Sequence, residues 1–416
     1  MQICAFARYA TASALVGLLW FPGQTGAHAW SGHALLTYPV FVELAELRDA
    51  GPVKVETIES FLMAEKEGLA GVLAEEEAWA RKHLRRYRPL PDGLAFAPVP
   101  DAQEIRKRFC HAIRIHPGVR LIPYLQLFPG ESVGGRTVIP VERLTFLTDK
   151  YSWKDTVMVG LSPGEAVPAA AVLSTASDEP DMGLDVGLFA DNKTEVGSRY
   201  GFGRQPFGNP NLDYGSQAPF HMGFYHEPKI VYLLASFLGE TYPEYRIHLY
   251  GRLARYAFRT GHSYWGWRFA GWGLHYMGDL AQPYHSTVLP DVSTVRALWI
   301  NSIAAVGIKK PKEHAIQLVS NRHLALERFL QIDLRRAYGE PRTNAQVLAA
   351  LRAPDAQRPY DDTVPRERVA KAAHAQAVLT SRTVVQCIPS RYVSDPDFEF
   401  GTSPDQDQLV ERIQVE

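Results

Sequence analysis

The densest run of chemistry-bearing residues is Leu274-His275-Tyr276-Met277-Gly278-Asp279-Leu280-Ala281-Gln282-Pro283-Tyr284-His285. On a helix, His275 and Asp279 stand four residues apart, on one face and one turn from each other. Pro283 ends or kinks that helix and can turn His285 back toward the same place. Imidazole and carboxylate are donors that a divalent ion such as zinc accepts. A lone His-x-x-x-Asp pair is more often exposed or simply hydrogen-bonded. The third ligand-type residue, beyond the Gln-Pro break, shifts the balance toward metal.

His323-Leu324-Ala325-Leu326-Glu327 repeats the same one-face geometry, although alone it reads as a solvated i,i+4 pair. His33 alone reads as a fraying histidine near a chain end. Their joint occurrence in a helical, exported chain gives them weight. Export is expected because residues 1–29 carry one charge, Arg8, then the apolar run Ala14–Phe21, and close on Ala27-His28-Ala29. That ending has the small-x-small pattern of a signal-peptidase site, so cleavage is expected after Ala29. The apolar run is too short to span a bilayer as a helix. The expected product is a secreted or periplasmic protein beginning Trp30-Ser31-Gly32-His33. Cys4 leaves with the leader; Cys110 and Cys387 remain, either as one disulfide or as two separate buried thiols. There is no CxxC, which argues against cysteine as the metal ligand.

The elements that must position these residues read as mainly α. Apolar spacing of three to four predicts helices over His33–Leu47, Val55–Leu84, Tyr245–Thr260, His262–Leu280, Thr294–Ile303, Glu313–Leu334 and Arg366–Val385. Phe109–Leu173 departs from this: Val119–Ile122 and Thr137–Ile139 are β-branched runs among Gly and Pro and predict a small strand-and-loop insertion. Residues 186–220, rich in Gly, Asn and Pro, predict a long ordered loop. Tyr338–Pro365 reads as a linker and the acidic 394–416 tail as partly disordered. The chain has 416 residues, 46% of them hydrophobic and 21% charged, which excludes disordered, collagenous and multi-span membrane classes. Lys and Arg total 44 against 45 Asp and Glu, so no global field favours nucleic acid or anionic surfaces.

The run His275-Tyr-Met-Gly-Asp279-x-x-Gln-Pro-x-His285 resembles the signature of the zinc-dependent phospholipase C / P1 nuclease family. Trp30, directly after the expected cleavage site, resembles the amino-terminal tryptophan whose amine and carbonyl bind zinc in that family. The stretch from Leu253-Ala254-Arg255-Tyr256 to His275 is also similar to the helix leading into the signature. The resemblance implies a helical bundle with three zinc ions. His275 and Asp279 would bind the first, Asp279 would bridge to a zinc held by Trp30 and His33, and His285, His323 and Glu327 would hold the remaining ion. The family also needs an upstream Asp and His: Asp181 and His221 fit best, with Asp213, Asp185 and His226 as rivals. Three intervals depart from the pattern: Trp30 to His33 is short, while His33 to Asp181 and Asp181 to His221 are long. The implied organisation is a catalytic domain over 30–337, with insertions at about 50–175 and 186–215, and a linker plus accessory segment over 338–416.

By that resemblance, a water ionised on zinc attacks a phosphodiester, and Asp181 orients the nucleophile and accepts its proton. Glu327, where the nuclease branch has Asp, and the absence of basic excess both favour the phospholipase C branch. The expected substrate is then a phospholipid such as phosphatidylcholine at a membrane or micelle surface, acted on by a monomer with no stable nucleic-acid partner. A P1-type nuclease is the alternative within the family. A non-catalytic lipid- or surface-binding protein with structural zinc is the alternative outside it. The rings of Tyr264, Trp265, Trp267, Phe269 and Trp272 read mainly as core packing, with lipid or choline contact the competing role. Because the Trp30 amine must be free to bind, a chain retaining even one residue before it is expected to lose one zinc and most activity. Metal analysis and a phosphodiesterase assay on both forms check this, and full activity of the extended form refutes it.

Overall fold

The central helix, Ser263–Ala281, turns one stripe of large side chains, Trp265, Phe269, Trp272, Tyr276 and Leu280, wholly into the core, and it buries Arg268, His275 and Asp279 as well. The computed structural model describes residues 32–208, 213–339 and 359–409, and over them the chain is mainly helical. The helices used below are α1 (His33–Phe41), α2 (Ala45–Asp49), α3 (Ile58–His83), α4 (Ala102–Ala112), α5 (Ala169–Ala176) and α6 (Asp213–His221). They continue with α7 (Lys229–Leu234), α8 (Pro243–Arg259), α9 (Ser263–Ala281), α10 (Pro283–Ser286), α11 (Thr294–Ala305), α12 (Lys310–Gly339), α13 (Lys371–Cys387) and α14 (Ser390–Val393). Two antiparallel ribbons complete it: Pro52–Lys54 with Ala166–Pro168, and Tyr124–Leu127 with Val157–Gly160.

Helix α9 lies between α8 and α5 and shares one hydrophobic core with α3 and α4. The 50–175 region, expected as an insertion, contributes many side chains to this core. Its strands fall elsewhere than expected. Val119–Ile122 is not a strand, since Leu121 turns the chain with φ 52°, and of Thr137–Ile139 only Val138 bridges, to Val159. Besides the expected α3, two of its segments are helices, α4 and α5. Asp101 caps α4 by accepting from the Glu104 amide at 2.7 Å, a turn signal the apolar periodicity does not carry. The expected loop over 186–220 ends in α6, which forms despite Gly215 and Pro219 within it.

The carboxy-terminal segment packs on the ligand-bearing helices over its described residues, 359–409. Helix α13 lies along α10, and His374 Nδ1 stands 2.9 Å from Thr287 Oγ1. Phe400 and Leu409 are buried with Ala325 of α12, and Asn321 of α12 donates to the Phe398 carbonyl and accepts from the Phe400 amide. Of the 394–416 tail, expected to be partly disordered, residues 394–409 pack through apolar side chains, and 410–416 lie outside the described residues. Cys110 is buried, Cys387 is exposed, and both are free thiols.

Helix α9 approaches α5 closely because of one residue. A Cβ added at Gly271 would lie 2.5 Å from Ala176 Cβ and 2.6 Å from the Leu173 carbonyl oxygen. A backbone oxygen cannot swing aside as a side chain can. Gly271→Ala is expected to cost about 1–3 kcal/mol in overpacking, measured by denaturant unfolding. It should also displace the segment after α5, which carries the carboxylates described next.

Candidate metal centre

Helix α5 runs out into Ser177-Asp178-Glu179-Pro180-Asp181, and the carboxylates go different ways. Asp178 accepts from the Ala34 amide at 3.1 Å, capping the start of α1 from 144 residues away. Glu179 accepts from Arg268 Nε at 2.9 Å and from Trp272 Nε1 at 2.5 Å, which ties the segment to α9. Asp181 turns inward, with Oδ1 3.7 Å from His275 Nε2 and 3.8 Å from His221 Nδ1. Asp185 is fully buried, held by Arg246 Nη2 and the Tyr276 hydroxyl, each at 2.5 Å.

Asp279 is the junction. Its Oδ2 lies 2.9 Å from His221 Nδ1 and 3.2 Å from His275 Nε2. Its Oδ1 lies 3.1 Å from His285 Nδ1 and 3.5 Å from His33 Nε2. After Asp279 the helix stops at Gln282, whose backbone is extended, and Pro283 opens α10 in its favoured first position. That break brings His285 back beside Asp279. The Gln282 side chain accepts from the Tyr284 amide at 2.7 Å and donates to Glu327 Oε1 at 3.2 Å, joining α10 to α12. On α12, His323 Nε2 is 2.6 Å from Glu327 Oε1 and 3.0 Å from His285 Nε2.

These side chains fall into three ligand groups: His33, Asp181 and His275; His221, His275 and Asp279; His285, His323 and Glu327. Within each group the ligand atoms lie within 4.8 Å of one another, and nearly all the residues are buried. The donor set is nitrogen and oxygen only, and it fits divalent metal in two further respects. Ring nitrogens face each other at 3.0 Å in both the His221–His275 and His285–His323 pairs, where a shared cation would satisfy both. Asp181 Oδ2 is buried without a hydrogen-bond partner. Outer contacts fix which nitrogen points inward. His275 Nδ1 donates to the Ser177 carbonyl at 2.7 Å and His285 Nδ1 to the His221 carbonyl at 3.1 Å.

The charges are strongly perturbed. Burial pushes the Asp181 carboxyl up to about 8, with Asp279 and Asp178 adding to the rise against the pull of His221 and His33. Burial acts the same way on Asp279, but the imidazoles of His275, His285 and His221 hold it well below the usual carboxylate range. Burial also disfavours charge on His221 and His285, yet Asp279 overrides it and raises both to about 10. Glu327 is held down to about 2, against burial, by His323 and His285. The buried anions are thus balanced by imidazolium protons, and a divalent cation would compete for the same places.

Of the residues singled out by sequence, His33, Asp181, His221, His275, Asp279, His285, His323 and Glu327 come together here. Trp30 lies outside the described residues. Of the rivals, His226 is elsewhere, with Nε2 2.9 Å from the Arg366 carbonyl, and Asp185 stands behind His221, with Oδ2 3.5 Å from its Nε2. Asp213 opens α6, the helix that ends at His221. Sequence reasoning gave no role to Ser177, to the carboxylate of Asp178, to the Gln282 side chain or to Gly278. A Cβ on Gly278 would sit 2.8 Å from His33 Nδ1, so the glycine of His-Tyr-Met-Gly-Asp is what admits the His33 ring against α9. The glycine itself was the signal, since mid-helix glycine costs stability unless something approaches closely.

Comparison of the chain with family models, with curated proteins and with solved structures gave no match. The groups themselves predict unequal losses on substitution. His323 serves one group, whereas Asp279 joins residues of all three. His323→Ala is expected to lose about one equivalent of metal and Asp279→Asn more than one, read by elemental analysis after dialysis.

Proposed function

We propose that this protein is an exported zinc-dependent phosphodiesterase of the phospholipase C / P1 nuclease type, with three zinc ions, and that it acts in the phospholipase C manner on glycerophospholipids such as phosphatidylcholine. The observation that carries the reading is the carboxylate of Asp279, shared among four imidazoles, with the His285–His323–Glu327 group beside it. A structural metal site needs one closed set of ligands; linked groups of this kind suit cooperative handling of a phosphoryl group. The helical architecture agrees with the fold that the sequence resemblance implies. The ligands would be His33 and Asp279, with Trp30, for one ion; Asp181, His221, His275 and Asp279 for the second; and His285, His323 and Glu327 for the third.

When bound, zinc supplies Lewis acidity and positive charge, enough to ionise a water near neutral pH and to offset charge on a phosphoryl group. The protein's own residues do the rest. Asp181 has one oxygen directed at His221 and His275 and the other buried without a partner, so it can orient a nucleophile and take its proton. Asp185, locked by Arg246 and Tyr276, fixes the His221 ring from behind. Ser177 and the His221 carbonyl fix His275 and His285 in the same way. Glu327 as the last ligand favours the phospholipase branch over the nuclease branch, since the resemblance has Asp there in nucleases.

Zinc-loaded protein processed to Trp30 is expected to release phosphocholine from phosphatidylcholine dispersions. His275→Ala should lower that rate by about 100-fold or more. Release by wild type that is abolished by chelation and by the substitution supports the phospholipase reading. Hydrolysis of single-stranded nucleic acid with phospholipid left intact replaces it by the nuclease reading. Absence of both activities in zinc-replete protein leaves a structural metal site.

A further inference from the structure

Helix α11 leaves large apolar side chains in solvent beside Arg296 and Ser302. Ile300 and Asn301 are buried, while Val295 and Trp299, one turn apart, are 77% and 60% exposed. Val306, just past the helix end and seven residues beyond Trp299, continues the stripe at 77%, and Ile308 follows it. Across an apolar groove lined by Val231, Leu234, Val288, Leu289, Val292 and Leu298, α7 adds Leu233, also 77% exposed, and Ile230. Large apolar side chains that cluster in this way mark an interaction surface.

The charge around the cluster is mainly basic, although Glu227 lines the groove. From Val292 to Lys312 the chain carries Arg296, Lys309, Lys310 and Lys312 and no Asp or Glu, and Lys229 opens α7. Arg296, Lys309, Lys310 and Lys229 are exposed. The nearest acids are engaged or peripheral. Asp291 pairs with Arg382 at 3.0 Å, Glu227 accepts from the Val288 amide, and Glu313 lies beyond the last lysine. In a chain of net charge −1, this is a local concentration. Exposed tryptophan and aliphatic side chains ringed by Lys and Arg are what an anionic lipid interface accepts. A second copy of the chain fits less well, because a two-fold contact through this patch would set the basic rims against each other.

We propose that α7 and α11 form a surface that docks on anionic bilayers, with Trp299 and Leu233 entering the headgroup boundary and Arg296, Lys309, Lys310 and Lys229 meeting lipid phosphates. Its role in presenting lipid rests on the phospholipase reading, but docking itself does not. Among the described residues no helix is long and apolar enough to cross a membrane, so the contact is peripheral. The surface is joined to the candidate centre at both ends: the chain enters it from His285 of α10 and leaves it into α12, which carries His323 and Glu327.

Vesicle flotation tests this, using phosphatidylcholine alone and phosphatidylcholine mixed with phosphatidylserine, at low and high salt. Wild type should float with the mixed vesicles at low salt and be released by high salt. Trp299→Ser with Leu233→Ser, and separately Lys309→Glu with Lys310→Glu, should each weaken partitioning by about tenfold or more while leaving the circular dichroism unchanged. His275→Ala should float as wild type does. Failure of wild type to float, or flotation unchanged in both double variants, overturns the docking surface. So does a dimer seen by sedimentation that the Trp299 and Leu233 substitutions dissociate while vesicle binding persists. Hydrolysis of a water-soluble phosphodiester separates the two claims: activity without flotation rejects docking alone, and flotation without activity rejects the enzymatic reading alone.

Discussion

The arrangement depends on one buried carboxylate. Asp279 is inside the protein, and an uncompensated buried anion costs several kcal/mol. It is compensated from both oxygens, by His221 and His275 on one side and by His33 and His285 on the other. Those imidazoles come from α1, α6, α9 and α10, so a single side chain sets the mutual placement of four helices. Neither hydrophobic packing nor helix propensity asks for this. A core made only for stability would hold apolar residues of similar volume there at no cost. The cluster is therefore the feature that the surrounding structure is organised to tolerate.

How it is tolerated is visible in the segment from Ser177 to Asp185. It puts Asp178, Glu179, Asp181 and Asp185 into the interior within eight residues, and it separates their duties. Asp178 is neutralised by the amide end of α1, where a helix start welcomes negative charge. Glu179 and Asp185 are neutralised by Arg268 and Arg246, both buried. Only Asp181 is directed into the cluster without an arginine, and it alone of these carboxyls is pushed up to about 8. Two carboxylates with guanidinium partners thus anchor the segment on α8 and α9, while the third, Asp181, faces the imidazoles with no arginine beside it. Burial without a fixed counter-charge is a common way to prepare a carboxyl for proton transfer.

Local chemistry was legible in the sequence, and long-range placement was not. The i,i+4 pairs His275–Asp279 and His323–Glu327 follow from helix geometry, and the Gln282-Pro283 break gave His285 its return path. The principal helices were legible too, because amphipathic or apolar periodicity survives without tertiary context. Helices α4, α5 and α6 were missed. In α4 the signal was present and passed over, since Ile105, Phe109 and Ala112 form a short buried stripe behind the capping Asp101; the alanines of α5 and the internal Gly215 and Pro219 of α6 carry none. The placement of Val119–Ile122 failed for a related reason: β-branched composition describes a half-buried surface as well as a strand. The packing of 394–409 on α12 was not legible either, because an acidic composition hides Phe398, Phe400 and Leu409, the residues that make the contact.

Chain order adds a last constraint. The ligands begin at His33 and end at Glu327, and α12 reaches both extremes: His323 and Glu327 face His285, while Leu334 packs with Ala34 and Leu35, and Tyr338 donates to the Leu35 carbonyl at 2.9 Å. Helix α13 and the 394–409 segment then close over α10 and α12 from outside. No ligand group can be complete until contacts hundreds of residues apart have formed, and such contacts come late because loop closure must precede them. The imidazoles and carboxylates are then brought together in a dry interior. Charge balance there, by protons or by a divalent cation, becomes part of the folding free energy. The same helix that completes the centre is preceded by the exposed stripe of α11, so the element that closes the ligand set also borders the face turned outward.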